Sequence, residues 1–326
     1  ERLRSGGKGL TLKELDLSGQ DLRGMDLTDS FLEDVNLSGA NLSGVRWEKV
    51  MATRVNLTEA RLEGASLMQC AFNDCMWRRT VCDGLQAELC QCSDGVIEDA
   101  SLVGANFKLT TFTSVEWSGL AERARFELTS VGQSELKMLT LRDCELVKCS
   151  FAEDNISSLH AEGGNWLEVS FVTCKGGALS MTDCSSENMR FLVQCELEDV
   201  VLDGCRLDRL CLRESSLPGL VVRKSSLAGA CIDRCNLPRA VLAGCRAPEA
   251  QIMHSDLEQA DLRRLSLPSG SLRRTRLVSA NLEEANLRGA DLYKVVLGET
   301  SLKGANLVQT LLQDADGTLR RMEMSQ

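Results

Sequence analysis

The sequence predicts an all-β repeat coil in which four short sides make one turn. Three observations indicate this fold: a bulky apolar residue recurs at every fifth position, a small residue lies two positions before it, and glycine or proline often follows it. A period of five fits neither the 3.6 residues of a helical turn nor the two-residue alternation of a strand. A fixed period is instead typical of a repeat architecture.

The bulky residue, called here the centre of each five, can be followed through almost the whole chain. Centres run from Leu12 to Trp117 in one phase, then to Phe191 one residue out of phase, and from Leu197 to Leu312 in the first phase again. The second slip reverses the first. We therefore predict local irregularities near 118–126 and 192–196 within one continuous domain.

Each five contains one extended side. Residues two apart in an extended segment point to the same side, so the centre and the small residue two before it should both point inward. The residue between them is usually polar and should face water, as Asn41 does between Ala40 and Leu42.

The other two residues of each five should form a corner. Glycine recurs two positions after the centre, and all four prolines lie one position after a centre. Pro218 followed by Gly219 is the preference of a type II turn. Pro218 and Pro238 are twenty residues apart, and four near-right-angle corners would also return the chain every 20 residues. At four sides to a coil, 60 centres predict about 15 coils.

This pattern resembles the pentapeptide repeat proteins, whose A(D/N)LxG consensus is matched at 40–44 and 285–289 and in part at 305–307. The resemblance covers residues 10–315 and implies a single right-handed quadrilateral parallel β-helix, a pentapeptide repeat solenoid. Residues 1–9 are then expected to be a flexible lead-in and 316–326 a C-terminal cap or tail. Between Val81 and Phe191 the consensus weakens, and we expect less regular coils with protruding loops there.

Composition argues against several classes of protein. A net charge of −10 and a pI near 5.0 disfavour direct binding to nucleic acid or to an anionic membrane. No apolar stretch is long enough for a membrane span, and no signal-peptide pattern is present. The chain begins at Glu1 and enters the repeats almost at once, so we expect a fused upstream domain.

The fifteen cysteines are predicted to be packing residues. Eleven occupy the small inward position and two are centres, while Cys211 and Cys231 lie between these inward positions. Cys90 and Cys92 resemble a ligand pair, but no histidine or second pair follows at a zinc spacing. Buried free cysteine behaves as a small hydrophobic residue. We therefore expect no metal, no cofactor and a reducing bacterial cytoplasm.

No catalytic motif is evident. The two histidines, His160 and His254, have no neighbourhood that resembles a nucleophile elbow or a metal motif. The glycine-rich stretch 5–9 lacks the spacing of a phosphate-binding loop. We predict that the chain is not an enzyme.

Charge is distributed unevenly along the chain. Residues 1–120 carry 12 Lys or Arg against 18 Asp or Glu, and residues 121–220 carry 10 against 17, giving nets of −6 and −7. Residues 221–326 carry 15 against 12, a net of +3. A surface that only keeps the protein soluble is the simpler interpretation. The alternative is that arginines of this basic end steer a partner, and the candidates are Arg263, Arg264, Arg273 and Arg274.

A second candidate surface is apolar. Val201, Val221 and Val241 are twenty residues apart at the outward position, so they should form a ladder on one face. β-Branched residues suit a strand surface without any further role. The functional interpretation is a docking stripe for a partner.

The resemblance implies two possible functions. Long repeat domains of this family are often C-terminal parts of larger bacterial chains, some in type VI secretion clusters and some delivered to host cells. We therefore expect a protein-interaction scaffold, as a secretion adaptor or effector domain, located in the cytoplasm or secreted into a target or host cell. The alternative is a DNA mimic, like the acidic quinolone-resistance members that bind DNA gyrase. Those members usually dimerise through a C-terminal apolar helix, which 313–317 do not resemble.

Overall fold

Short parallel strands and β-bridges are the regular structure of this chain. The computed structural model describes residues 8–187, 190–313 and 319–321, and within them it contains no helix. No helix among those residues is therefore long and apolar enough to cross a membrane. The chain divides into two compact units, Glu1–Gly164 and Asn165–Gln326. Each unit is described by itself.

The first unit consists of stacked parallel strands. In chain order its strands are β1 (Thr11–Lys13), β2 (Phe31–Glu33), β3 (Arg46–Glu48), β4 (Met51–Thr53), β5 (Ser66–Met68), β6 (Ala71–Asn73), β7 (Gln86–Glu88), β8 (Gln91–Ser93), β9 (Val96–Ser101), β10 (Asn106–Lys108), β11 (Thr111–Thr113), β12 (Glu116–Glu122), β13 (Arg125–Glu127), β14 (Ser130–Gly132), β15 (Glu135–Arg142), β16 (Glu145–Val147), β17 (Ser150–Ala152) and β18 (Asn155–Glu162). One ladder runs β1-β2-β4-β6-β8-β11-β14-β17. A second runs β3-β5-β7-β10-β13-β16 and a third β9-β12-β15-β18.

The second unit is built in the same way. Its strands are β19 (Asn165–Leu167), β20 (Ser170–Val172), β21 (Lys175–Thr182), β22 (Ser185–Glu187), β23 (Arg190–Val193), β24 (Glu196–Asp203), β25 (Arg206–Asp208), β26 (Cys211–Arg213), β27 (Val221–Arg223), β28 (Cys231–Asp233), β29 (Gln251–Met253), β30 (Asp291–Leu292), β31 (Leu311–Gln313) and β32 (Leu319–Arg321). Its parallel ladders are β20-β23-β26-β28-β29, β19-β22-β25 and β21-β24-β27.

The register confirms the four-sided coil. Leu32 pairs with Ala52 twenty residues later, and the same offset joins Asp16 to Asn36 by an isolated bridge. The fold is therefore the predicted parallel β-solenoid. Its continuous strands account for about 12 turns, fewer than the predicted 15. The difference arises because most coils after Met253 pair through isolated bridges.

The interior contains the centres and the small residues, as predicted. Leu42 and the preceding Ala40 are fully buried. Where the small residue is polar, its hydrogen satisfies a buried carbonyl: Thr80 Oγ1 donates to the Leu57 oxygen at 2.9 Å, and Cys144 Sγ to that of Ala121 at 3.3 Å. Burial raises the pKa of the Cys144 thiol to about 11, so this thiol keeps the proton that it donates.

The corners are left-handed whichever residue occupies them. Among the described residues, 41 other than glycine have a positive φ, and nearly all lie two positions after a centre. This backbone conformation is uncommon for residues with a Cβ. It turns the corner amide toward the next coil, where the Asp34 amide, for example, donates to the Thr53 carbonyl at 3.1 Å. At most of these corners an inter-coil hydrogen bond of this kind therefore offsets the strain.

The first predicted slip is present and lies at the start of its predicted range. Trp117 pairs with Ile97 at an offset of 20, whereas Gly119 pairs with Ala100 at 19, so one residue is missing between them. Gly119 has a φ of 111°, and a Cβ there would lie 3.0 Å from the Asp99 Cα. Only glycine fits where the shortened backbone approaches its neighbour.

The second slip lies before its predicted range of 192–196. Ser170 pairs with Arg190, but Phe171 pairs with Leu192, so the extra residue is within 190–192. The backbone register thus pairs Leu192, and not Phe191, with the centre Phe171, so assigning Phe191 as a centre was wrong. A bulge inside a strand adds one residue without disturbing the corner that follows.

Protruding loops between Val81 and Phe191 were wrongly expected. Paired residues in the described part of this stretch are 19 to 21 positions apart, which leaves no room for an inserted loop. The irregularity is in strand length instead. Strands β9, β12, β15 and β18 of the first unit, and β21 and β24 of the second, continue through a position where a turn was expected. Asp99 in β9 and Met138 in β15 nevertheless keep the positive φ of a corner.

The ends of the chain are described only in part. Residues 1–7 of the predicted lead-in lie outside the described residues. In the predicted tail, β32 pairs antiparallel with β31, which is itself the last parallel strand. The boundaries at 9 and 315, and a single domain between them, stay predictions.

Substitutions at Gly64 should separate backbone conformation from crowding. Gly64 has a φ of 62°, and no atom lies within 4 Å of the position that a Cβ would take. We expect Gly64→Ala to lower the free energy of unfolding by about 1 kcal/mol, Gly64→Val by more and Gly64→Asn by less. Urea unfolding measures all three. Equal losses would contradict the conformational explanation.

Asp154 should make the first unit sensitive to pH. It occupies a small inward position, 1% exposed, where Oδ1 accepts the Ser134 amide at 2.8 Å and Oδ2 has no hydrogen-bond partner among the described residues. Burial raises the pKa of this carboxyl from 3.8 to about 6, and the neighbouring Glu153 adds to the shift. Because the folded state holds the proton more tightly, stability should fall as pH rises from about 4 to about 6 and then level off.

Replacing Asp154 by serine should remove this dependence. Ser215 occupies an equivalent position in the second unit, where Oγ accepts the Cys195 amide and donates to the Arg213 carbonyl. At pH 7 we expect Asp154→Ser to raise the free energy of unfolding by about 3 kcal/mol, with little gain below pH 4. Glu153→Gln removes only the smaller contribution from the neighbouring charge, so it should leave most of the pH dependence in place. Parallel pH profiles for the wild type and Asp154→Ser, measured by chemical denaturation, would refute the assignment.

Candidate interaction surfaces

The three valines form the predicted ladder in the second unit. Val201 pairs in register with Val221, and Val221 bridges Val241. All three side chains are half-buried at the outward position. Ser180 precedes and Asp261 follows them at the same position, so the ladder is three coils long.

Two prolines widen this apolar surface. Pro218 and Pro238 each lie three residues before a ladder valine, at the preceding corner, and both are half-buried. The Gly219 amide donates to the Pro238 carbonyl at 2.8 Å, which stacks the two corners. We name the combined surface the valine–proline strip, and its residues are Val201, Val221, Val241, Pro218 and Pro238. From the sequence the prolines were predicted only as turn formers, although their twenty-residue spacing placed them beside the valines.

Cations border the valine–proline strip on both sides. Arg239 follows Pro238 at one corner, and Arg223 and Lys224 lie at the corner on the other side of Val221. All three side chains are exposed, and none forms an ion pair with a described residue. These three residues were not predicted, because charge summed over a segment does not show where each residue lies in the coil.

The four predicted arginines do not form one patch. Arg263 and Arg264 follow Leu262, whereas Arg273 and Arg274 follow Leu272, ten residues later. Ten residues are half of a coil, so the two pairs lie at opposite corners. Both pairs lie in the basic end of the chain but not on one face, and their role in binding a partner stays a prediction.

The first pair of arginines is largely neutralised. Arg263 binds Asp261 at 2.7 Å, and Arg264 binds Glu284 across one coil at 2.7 Å. Hydrogen bonds from these guanidinium groups lower the pKa of Asp261 and of Glu284. Exposed pairs of this kind contribute less than about 1 kcal/mol. Their charge is, however, no longer available in full to a partner.

The second pair of arginines belongs to a basic aromatic corner. The Arg273 guanidinium lies 4.6 Å from the centre of the Tyr293 ring, and the Lys294 ammonium lies 5.3 Å from it. Arg274 is exposed and has no ion pair among the described residues. Tyr293 and Lys294 were not predicted, although they lie twenty residues after the two arginines.

Acidic residues in the first unit are interrupted by cations. Glu14, Asp34, Asp74 and Asp94 lie at one corner of successive coils, but Arg54 occupies the coil between the second and third. Arg54 binds Asp34 at 2.7 Å, and its hydrogen bond lowers the pKa of that carboxyl. Pairs one coil apart recur elsewhere, as in Arg79 with Glu59, Lys108 with Glu88 and Arg142 with Glu162.

In the described part of the chain the histidines do not belong to a larger group of metal ligands. Among the described residues, no group of three or more His, Cys, Asp or Glu side chains could hold a metal ion. His254 Nδ1 lies 2.8 Å from Asp233 Oδ1 at a corner, and His160 pairs with Thr140 on a strand surface. The two histidines therefore lie in different units.

Comparisons with known proteins agree with the repeats. A family model described as pentapeptide repeats matches in eight copies, over residues 11–46, 32–74 and 255–292. No curated protein matches the chain. A trypsin-treated variant of QnrB1, a plasmid-mediated fluoroquinolone resistance protein, is 16% identical and aligns over 52% of this chain and 82% of its own, with a TM-score of 0.42. HetL, from the cyanobacterium Nostoc, is 18% identical over 96% of this chain and 92% of its own, with a TM-score of 0.25.

The family follows from the repeats and the register and not from these superpositions. The matched motifs contribute a bulky and a small inward residue to each side, and the strands pair at the twenty-residue offset that four such sides require. Residues 11–74 and 255–292 therefore contain the repeats of the pentapeptide repeat family.

Proposed function

We propose that this chain is a non-enzymatic scaffold that binds a protein partner through the valine–proline strip. The observation that supports this most is the border of the strip, where Arg223, Lys224 and Arg239 are exposed without an acidic partner among the described residues. Apolar surface at the centre of a contact with charge at its rim is the usual anatomy of a protein interface.

The same border defines the chemistry of the partner. Three cations around an apolar strip suit a partner whose contact surface is apolar and is surrounded by carboxylates. Complementary charge of this kind speeds association and excludes wrong partners. Arg263 and Arg264 contribute less in this proposal, since Asp261 and Glu284 already bind them. Arg273 and Arg274, at the opposite corner of their coil, would serve a separate contact.

The biological setting is also part of the proposal. We place the scaffold in a bacterial secretion pathway of the type VI kind, as an adaptor or effector domain attached to an upstream domain. It would act in the cytoplasm or after delivery into a target or host cell. Fifteen free cysteines, of which thirteen are buried, suit a reducing compartment.

Charge placed on the ladder should abolish binding of the partner. In the triple variant Val201→Asp, Val221→Asp and Val241→Asp, carboxylates replace apolar contacts and face the acidic rim of the partner. We expect an affinity at least roughly 30-fold weaker, corresponding to about 2 kcal/mol. Proteins from the native bacterium that the immobilised chain retains would be identified and purified, and the affinity of each would be measured by calorimetry.

The matched control changes the same three residues to threonine. Threonine keeps the β-branched shape that suits the strand surface. Aspartate already occupies the same outward position at Asp261. Circular dichroism should therefore show both triple variants folded. Reversing the charge of Arg223, Lys224 and Arg239 to glutamate should mainly slow association and invert its salt dependence, so that added salt speeds association. An affinity that the aspartate variant leaves unchanged would remove the strip from the proposal.

The second candidate function is DNA mimicry directed at DNA gyrase. The net charge of −10 and the acidic corner of the first unit favour it. Arg54 and the ion pairs between coils weigh against it, because they break the acidic surface into alternating charges.

A supercoiling assay distinguishes the two functions. If the chain is a scaffold, excess protein should leave both the rate of gyrase supercoiling and its inhibition by a fluoroquinolone unchanged. QnrB1 is the positive control. Inhibition or quinolone protection, lost when Asp74 and Asp94 become asparagine, would favour the mimic and overturn the scaffold.

A further inference from the structure

Two of the fifteen cysteines differ from the rest in their exposure. Thirteen are buried, whereas Cys211 and Cys231 are half-buried. Both occupy the outward position of the second unit, on β26 and β28, and they pair with each other in register. Two accessible thiols therefore lie next to each other on neighbouring coils of the same ladder.

The two thiols are neighbours across one step of the ladder, because Cys211 pairs in register with Cys231 at the same outward position. Their strands are neighbours in a parallel ladder, where the spacing is about 4.8 Å. Parallel registered side chains keep roughly that separation at Cβ, so small rotations about the Cα–Cβ bonds vary the distance between the sulfurs.

This spacing suits a bridging ion better than a disulfide. A disulfide requires its Cβ atoms to lie about 3.8 Å apart, closer than neighbouring parallel strands hold them. Two metal–sulfur bonds of roughly 2.3 Å in line span about 4.6 Å, close to the strand spacing. A linear two-thiolate site therefore requires little movement of the backbone.

The neighbourhood determines which ions could bind. No third histidine, cysteine or carboxylate joins the two thiols among the described residues, so the four ligands that zinc requires are missing. Asp233, on the same strand as Cys231, is engaged by His254 at 2.8 Å. Gln251 follows Cys231 at the outward position of the next coil. Two thiolates without hard ligands select soft ions such as Cu(I).

We propose that Cys211 and Cys231 together bind one soft monovalent metal ion of the Cu(I) and Ag(I) class, in linear coordination by two thiolates. Each thiol releases one proton and forms one sulfur–metal bond, so two thiols and one M⁺ give a complex of charge −1 and two protons. No oxidation is involved. Arg213 lies on the same strand as Cys211 and places positive charge near this complex.

The test measures Cu(I) binding to the full chain under reducing, oxygen-free conditions. Competition with a chromophoric Cu(I) chelator gives the stoichiometry and the affinity, and X-ray absorption at the copper edge gives the neighbouring atoms. We expect one ion per chain with two sulfur neighbours. Cys211→Ser and Cys231→Ser should each weaken binding by about 100-fold or more, because either change removes one of two ligands.

The matched control is Cys245→Ala. Cys245 is buried at a small inward position that alanine occupies in many other coils, as at Ala240, so this variant should bind Cu(I) like the wild type. Serine occupies the outward position at Ser271 of the same face, and circular dichroism should therefore show both serine variants folded. Undiminished affinity in the double serine variant would overturn the proposal. So would two ions per chain with each single variant retaining one at full affinity, since the thiols would then act separately.

Discussion

The parallel backbone hydrogen bonds between coils are the interaction on which each unit depends. An amide on one coil donates to a carbonyl about twenty residues away, on sides and at corners alike, as Asn56 does to Val35 and Gly44 to Glu63. Because nearly every position takes part, a coil cannot change its length freely. One missing residue at Trp117–Gly119 and one extra residue within 190–192 are both absorbed as bulges inside strands.

This register also organises the surface. Residues twenty apart lie next to each other, so a surface feature requires only that one position of the coil keeps the same chemistry for two or three turns. Three valines produce an apolar ladder, two cysteines a pair of thiols, and an arginine beside a glutamate an ion pair between coils. Charge along the chain is therefore a poor guide to charge on the surface. Arg263 and Arg273 are near in sequence and lie at opposite corners.

The interior imposes a second requirement. The small inward position faces carbonyl groups of its own and the neighbouring coil, and threonine, serine and cysteine satisfy one of them by donating a hydrogen. Alanine leaves the position apolar and costs nothing in desolvation. An ionised carboxylate has no hydrogen to donate, which explains why Asp154 is the position where burial and ionisation conflict. The cysteines of the core are thus donors as well as packing residues.

The sequence by itself determined which residues face inward. Each five has a bulky and a small residue two positions apart, and in an extended segment such residues point to the same side. The sequence also determined the twenty-residue coil, the number of slips in register and the valine ladder. The positions of the bulges needed the tertiary structure, since Phe191 and Leu192 are equally apolar and only the pairing of Phe171 distinguishes them. The tertiary structure likewise decided which strands run through a corner position and that Arg263 and Arg264 are neutralised, the latter by Glu284 of the next coil. Such contacts depend on the backbone geometry of neighbouring coils and on how far their side chains extend. The period of the sequence does not specify either of these.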